Sequence, residues 1–169
     1  MEQWQTGDMK AFEALFREYE RAVFKDAYLI TGSREDAEDI LQVVFTSVWR
    51  SRHTFDPNKG KLSTWLHRIT VNECLKKRRK EKQRPLTLVG NDLQADKDSR
   101  DETLQQLDHE NLTEALSTLD ARHRAVLVLR YFDDLSYQEI ALTLGVPLGT
   151  VKSRINHALK MLRVRLGDE

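Results

Sequence analysis

The sequence predicts an all-α fold made of two small helical domains, residues 1–84 and 104–169, joined by an acidic flexible linker, residues 85–103. Three observations carry this expectation. Three prolines and seven glycines among 169 residues are too few for a turn-rich β fold. Apolar residues recur at three- and four-residue steps and are bounded by capping residues. Between the two periodic blocks, the stretch after Pro85 is rich in Asp, Gln and Ser and has little apolar periodicity, as a mobile linker would.

The elements follow in chain order. Asp8 caps a first helix whose apolar positions Phe12, Leu15, Phe16, Tyr19 and Val23 keep helical spacing. The chain breaks at Thr31-Gly32, and Ser33 caps a second helix, with Asp36 in the partner position of a short capping box. Glu35, Asp36, Glu38 and Asp39 crowd its first turns, where the helix dipole favours negative charge. This helix runs towards Phe55 and stops at Asp56-Pro57, because proline disfavours helix in the residue before it. Asp56 to Lys61 is a loop, and Ser63 or Thr64 starts a third helix that continues into a basic run ending near Arg84. Beyond the linker, Leu104, Leu107, Leu112, Ala115, Leu116 and Leu119 predict one helix or two short ones. Asp120 caps the next, which carries Ala125 to Tyr131.

Ser136 and Glu139 form a capping box at the start of a helix through Leu144. Gly145 provides a tight turn, Val146 anchors it, and Pro147 opens the last helix at a position that tolerates proline. Helix, glycine turn, helix is the arrangement that delivers a second helix to the DNA major groove. On that last helix Val151, Ile155, Ala158, Leu159 and Leu162 share one face. The other face shows Thr150, Ser153, Asn156, His157 and Lys160, flanked by Lys152 and Arg154. It offers hydrogen-bonding heads and cations without an acid, as a base-reading helix needs.

A net charge of zero hides a basic, acidic, basic pattern. Lys59 to Arg84 holds ten Lys/Arg against Glu73 and Glu81, and Asp92 to Asp120 holds nine acids against Lys97 and Arg100. Pro147 to Leu166 carries five basic residues and no acid. Two separated cationic surfaces point to a polyanion touched in two places. On the third helix Trp65, Arg68, Asn72, Lys76 and Arg79 fall within a sector roughly 80° wide. An aromatic, an amide and three cations in a row suit single-stranded DNA, although Trp65 fits a core position equally well.

Other classes are disfavoured. No apolar run approaches the ~18 residues that cross a membrane, and the polar start from Met1 to Lys10 lacks the apolar core of a signal peptide. A single cysteine, Cys74, fits a reducing cytoplasm. The five histidines are scattered without metal-site spacing. No nucleophile, paired carboxylate or phosphate-binding glycine loop stands at a recognisable spacing, so no catalytic residue, metal or cofactor is predicted.

The segments "AEDILQVVFTSVWR", "FDPNKGKLSTWLHRITVN" and "LSYQEIALTLGVPLGTVKSRINHALKMLR" resemble regions 2 and 4 of bacterial sigma factors of the extracytoplasmic-function (ECF) class. The resemblance implies a non-enzymatic cytoplasmic initiation factor whose partners are RNA polymerase core, promoter DNA and an anti-sigma factor, with no membrane contact. Glu35, Asp39, Gln42, Val43 and Thr46, with Arg50 at the end of the same face, would dock on the β′ coiled coil, and region 4 would reach the β flap. Trp65, Arg68, Asn72, Lys76 and Arg79, with the loop from Phe55 to Leu62, would capture unpaired bases of the −10 element. The outer face of the last helix would read the −35 element as duplex. The acidic linker would lie in the polymerase's RNA path. Two departures stand out: Lys76 replaces an amide of some relatives, and His157 replaces an arginine of many. A stand-alone regulator using only the helix-turn-helix is the competing reading.

Overall fold

The structure, a computed structural model, describes residues 3–83 and 112–166. They form seven α-helices: α1 (Met9–Thr31), α2 (Arg34–Arg50), α3 (Leu62–Gln83), α4 (residues 112–117), α5 (Ala121–Tyr131), α6 (Tyr137–Leu144) and α7 (Leu148–Leu166). Two 3-10 turns, Gln3–Thr6 and Arg52–Thr54, flank α1 and follow α2, and no strand occurs among the described residues. The linker at 85–103 and the leucines at 104 and 107 lie outside the described residues.

Local signals set the helix ends. Asp8 accepts hydrogen bonds from the N–H groups of Lys10 and Ala11, and Gly32, at a φ of 72°, closes α1 by donating to the Tyr28 carbonyl. Ser33 accepts from the Asp36 N–H, but Asp36 does not complete a box; its carboxylate takes Lys77 Nζ at 2.8 Å instead. Ser136 and Glu139 do form the reciprocal box. Gly145, at a φ of 63°, makes the turn of the helix-turn-helix.

Three boundaries differ from expectation. Helix α2 ends at Arg50, where the Ser51 hydroxyl and N–H both bond the Ser47 carbonyl and the chain tightens into a 3-10 turn before Phe55. Helix α3 begins at Leu62, ahead of Ser63. Pro147 sits just before α7, its carbonyl accepting from Thr150 and Val151.

Helices α1, α2 and α3 pack on one another, and α5 packs on α6 and α7. Ile30, Val44, Val48, Leu66 and Val71 are sealed in the first group, and Val126, Leu129, Ile140, Val151 and Ile155 in the second. Each such side chain contributes about 1.5–3 kcal/mol by leaving water. The two groups meet: α5 and α6 also pack against α1 and α3.

Candidate nucleic-acid interface

Helix α7 has two unlike faces. Val151, Ile155 and Ala158 are at most 1% exposed and hold it to the rest of the second group. Lys152, Ser153, Asn156, His157 and Lys160 are exposed, while Thr150 and Arg154 are half-buried at the flanks. Leu148–Leu166 contains no acid, so nothing on the helix neutralises its cations. The Ser153 hydroxyl donates to the Thr150 carbonyl at 3.0 Å. The His157 ring lies 5.0 Å from that of His123, whose Nδ1 is 2.9 Å from the Asp120 carboxylate. Burial works to raise Asp120, but hydrogen bonds from His123 and Arg122 outweigh it and hold the carboxyl below its usual range. His157 therefore has a ring neighbour in His123, which the sequence did not foretell.

Helix α3 presents Arg68, Asn72, Lys76 and Arg79 to solvent in one row. Glu73 lies 3.6 Å from Lys76 and tempers the middle of it. Trp65 is half-buried in an aromatic cluster, 5.5 Å from Phe55 and 6.1 Å from Trp4 between ring centroids. One edge of the indole is thus supported by the core and the other reaches the surface. The neighbouring loop from Phe55 to Leu62 lines an open hollow with Lys59 and Lys61 at its rim.

That loop has a support the sequence reading missed. Trp4, only 3% exposed, packs against Phe55 and Trp65, with ring centroids 6.1 Å apart and the planes tilted by 31° and 33°. Buried Gln5 donates from Nε2 to the carbonyls of Phe55 at 2.8 Å and Arg52 at 3.0 Å. A tryptophan inside an otherwise polar start was the available signal.

On α2 the split between faces is equally clear. Ala37, Ile40, Val44, Phe45 and Val48 are buried, with Leu41 half-buried beside them. Glu35, Asp39, Gln42, Val43 and Thr46 are all exposed, as is Arg50. Val43, 44% exposed, is the apolar centre of that face. Lys77 spans from α3 to Asp36 at 2.8 Å and Asp39 at 2.9 Å, which positions the acidic end of the surface. Desolvation pulls Lys77 down, yet its bonds to both aspartates leave it raised and charged.

A fourth cluster was not foreseen at all. His67, one of the scattered histidines of the sequence, lies with Nδ1 2.7 Å from Asp26 and 3.4 Å from Asp133. Lys25 Nζ adds contacts of 3.1 Å to Asp133 and 3.6 Å to Asp26. The three potential ligand atoms of Asp26, His67 and Asp133 lie within 4.8 Å of one another. Lys25 already supplies a cation there, so the group forms an ion-pair network with two carboxylates. It joins α1 and α3 to the turn after α5, residues more than 40 positions apart in every cross-helix pairing, which no local pattern encodes. Cys74 is buried, and burial pushes its thiol up, so it stays protonated.

No helix of the described residues is long and apolar enough to cross a membrane. Residues 15–84 match the family profile Sigma-70 region 2, and residues 109–162 match Sigma-70, region 4. The chain is 36% identical over 166 residues to the ECF RNA polymerase sigma factor SigE of Mycolicibacterium smegmatis, a match covering 94% of this chain and 63% of that protein's length. It is 35% identical over 159 residues to the ECF RNA polymerase sigma factor RpoE of Cereibacter sphaeroides, covering 92% of this chain and 86% of that one. Among solved structures, CnrH in complex with the cytosolic domain of CnrY is similar at a TM-score of 0.70 and 25% identity, over 99% of this chain and 95% of that one. The sigma factor RpoE of Bartonella quintana, in complex with the anti-sigma factor NepR, shares the fold at a TM-score of 0.69 and 23% identity, over 95% of this chain and 99% of that one.

Proposed function

The chain belongs to the ECF sigma factors of the sigma-70 family, and we propose that it engages polymerase and promoter through three separate helical surfaces. Residues 1–84 form the unit that binds core and the −10 element, residues 104–169 the unit that binds the −35 element, and residues 85–103 the acidic linker between them. Glu35, Asp39, Gln42, Val43 and Thr46 on α2 dock on the β′ coiled coil of RNA polymerase core. The second unit reaches the β flap. On α7, Ser153, Asn156 and His157 read base edges of the −35 duplex, Lys152, Arg154 and Lys160 hold phosphates, and Thr150 belongs to the same −35-binding surface. On α3, Trp65 and Asn72 take unpaired −10 bases and Arg68, Lys76 and Arg79 hold the strand. Melting is then driven by the preference for the opened strand, and no catalytic residue is needed. The protein acts in the cytoplasm, with no membrane contact, and an anti-sigma factor is its expected regulator, as NepR partners the similar RpoE.

The observation that carries this reading is the pairing of two outward cationic rows on different helices, α3 and α7, each backed by a sealed apolar face. A stand-alone regulator needs only α5 to α7 and leaves the α2 and α3 surfaces without work. The test is run-off transcription with purified core on duplex promoters selected in vitro. Transcripts that start at discrete sites only when this chain is added support the reading. Core that neither binds the chain nor gains promoter-specific starts overturns it.

A further inference from the structure

We infer that the turn Gln3–Thr6 ahead of α1 is the positioning element of the loop from Phe55 to Leu62, and that Gln5 and Trp4 set base selectivity there without touching DNA. This inference deepens the proposed −10 role of that loop and rests on it. The loop has few ties of its own. Its middle, from Pro57 to Lys61, is exposed. The Asp56 carboxylate accepts from the Asn58 N–H at 3.0 Å, and the Asp56 carbonyl accepts from the Lys59 N–H at 3.0 Å. Bonds of such short reach shape a turn but do not fix where it sits on the protein.

Placement comes from Gln5 and Trp4. Gln5 Nε2 donates to the Phe55 carbonyl at 2.8 Å and to the Arg52 carbonyl at 3.0 Å, and its NH2 group has a hydrogen for each. Those carbonyls stand at the two ends of the 3-10 turn Arg52–Thr54, so one side chain spans the segment that leads from α2 into the loop. Gln5 is 3% exposed and Phe55 8%, so a lost bond there strands a polar group away from water. The Trp4, Phe55 and Trp65 rings meet pairwise, which ties the N-terminal turn, the loop entry and the first turn of α3 together. The turn is in turn fixed to α1. The Gly7 N–H donates to the Trp4 carbonyl at 3.2 Å, and Gly7, at a φ of 94°, leads directly into the capping residue Asp8. A base held in the hollow has left its stack, and its net gain depends on a loop already shaped to receive it. Without Gln5 the loop must be ordered on binding, so affinity falls and well and poorly fitting bases are told apart less. The row from Arg68 to Arg79 lies beyond the brace on α3 and keeps its contacts.

Gln5→Met keeps the length of the side chain and removes both donors. Holoenzyme made from core and the full chain is titrated with labelled −10 single strands varied one position at a time, and with strands carrying an abasic site at each position. Gln5→Met should lower affinity for the preferred strand about five- to tenfold and relax preference at one base position. An abasic site at that position should erase the difference between Gln5→Met and the unaltered chain, whereas a purely structural defect weakens intact and abasic strands alike. Affinity for a −35 duplex should stay within about twofold, because that surface is remote from the brace. In the free chain, hydrogen–deuterium exchange over residues 56–62 should quicken while that of α2 and α3 holds. Trp4→Phe, which keeps a ring in the cluster, should act in the same direction more weakly, and it carries the comparison if Gln5→Met loosens α2 and α3 as well. Unchanged exchange over 56–62, or an equal loss on intact and abasic strands, overturns the positioning role. So does a base preference kept intact in both variants. Unaltered holoenzyme without base preference at any position overturns the −10 reading instead, and the selectivity assigned to Gln5 and Trp4 falls with it.

Discussion

Helices α3 and α7 both offer cations to DNA, yet they are set in the fold differently. Helix α7 buries one face, through Val151, Ile155 and Ala158, and leaves the opposite face free and without acid along its whole length. Helix α3 is packed by α1 and α2 on one side and by α5 and α6 on another. Only a narrow sector stays free, from Arg68 to Arg79, and Glu73 interrupts its charge. The free sector ends at Trp65 and at a loop hollow that Trp4 and Gln5 brace from below. A protruding helix can enter a groove; a helix embedded in a bundle, with a braced hollow at its end, suits a flexible strand that comes to it.

That contrast can be broken in several places. The largest effect should come from the sealed face of α7: Ile155→Ala, at a site 1% exposed, should cost roughly 2–5 kcal/mol of stability. Asn156→Ala beside it should stay within about 0.5 kcal/mol. Denaturant unfolding followed by circular dichroism measures both, and equal losses would erase the distinction between the faces. Next, Trp65→Ala should weaken binding of a single-stranded −10 oligonucleotide by holoenzyme by about 1–3 kcal/mol. It should leave −35 duplex binding unchanged, as read by fluorescence anisotropy. On α7, His157→Ala should cost about 1–3 kcal/mol and relax preference at one base position. Lys160→Ala should weaken every sequence alike and reduce the salt slope by about one. Titrating −35 variants at several salt concentrations tells the two apart, and exchanged outcomes would mean the helix is rotated from the proposed orientation.

The smallest effect concerns pH. Burial, then the charge of Asp26, raise Asp133 from an ordinary 3.8 to about 6 in the folded chain, against the pull of His67 and Lys25. A group raised on folding favours the folded form most while it is protonated. That contribution is complete below the ordinary range and is lost as pH climbs through about 6. His67 is raised too: burial lowers it, but the hydrogen bond and charge of Asp26 and the charge of Asp133 prevail, so its contribution is lost in the same direction at higher pH. Asp133 sets the lower part of the window. Stability read by denaturant unfolding should fall between about pH 5 and 7, and Asp133→Asn should flatten that part of the curve. A curve that rises over that range would contradict the assignment.

The sequence made the helices legible because their signals are local. Asp8, Ser33, Asp120 and Ser136 cap as their positions predict, and the apolar stripes of α1, α2 and α7 turn inward. The exposed rows on α2, α3 and α7 followed from the same periodicity. Contacts made across the fold were not legible. Gln5 reaches Phe55 over 50 positions, and Lys25 reaches Asp133 over 108. Nor did the spacing of α2 anticipate its end at Arg50, since Ser51 bonding back to Ser47 competes with a continued helix through a side-chain choice that apolar periodicity does not see.

The most direct test of the division of labour is a crossed measurement on holoenzyme carrying Asn72→Ala or Asn156→Ala. Each is titrated against a −10 single strand and against a −35 duplex. The account predicts that Asn72→Ala loses affinity only for the strand and Asn156→Ala only for the duplex, each by about 1–3 kcal/mol. Both variants losing on the same substrate, or Asn72→Ala losing on duplex alone, would contradict it.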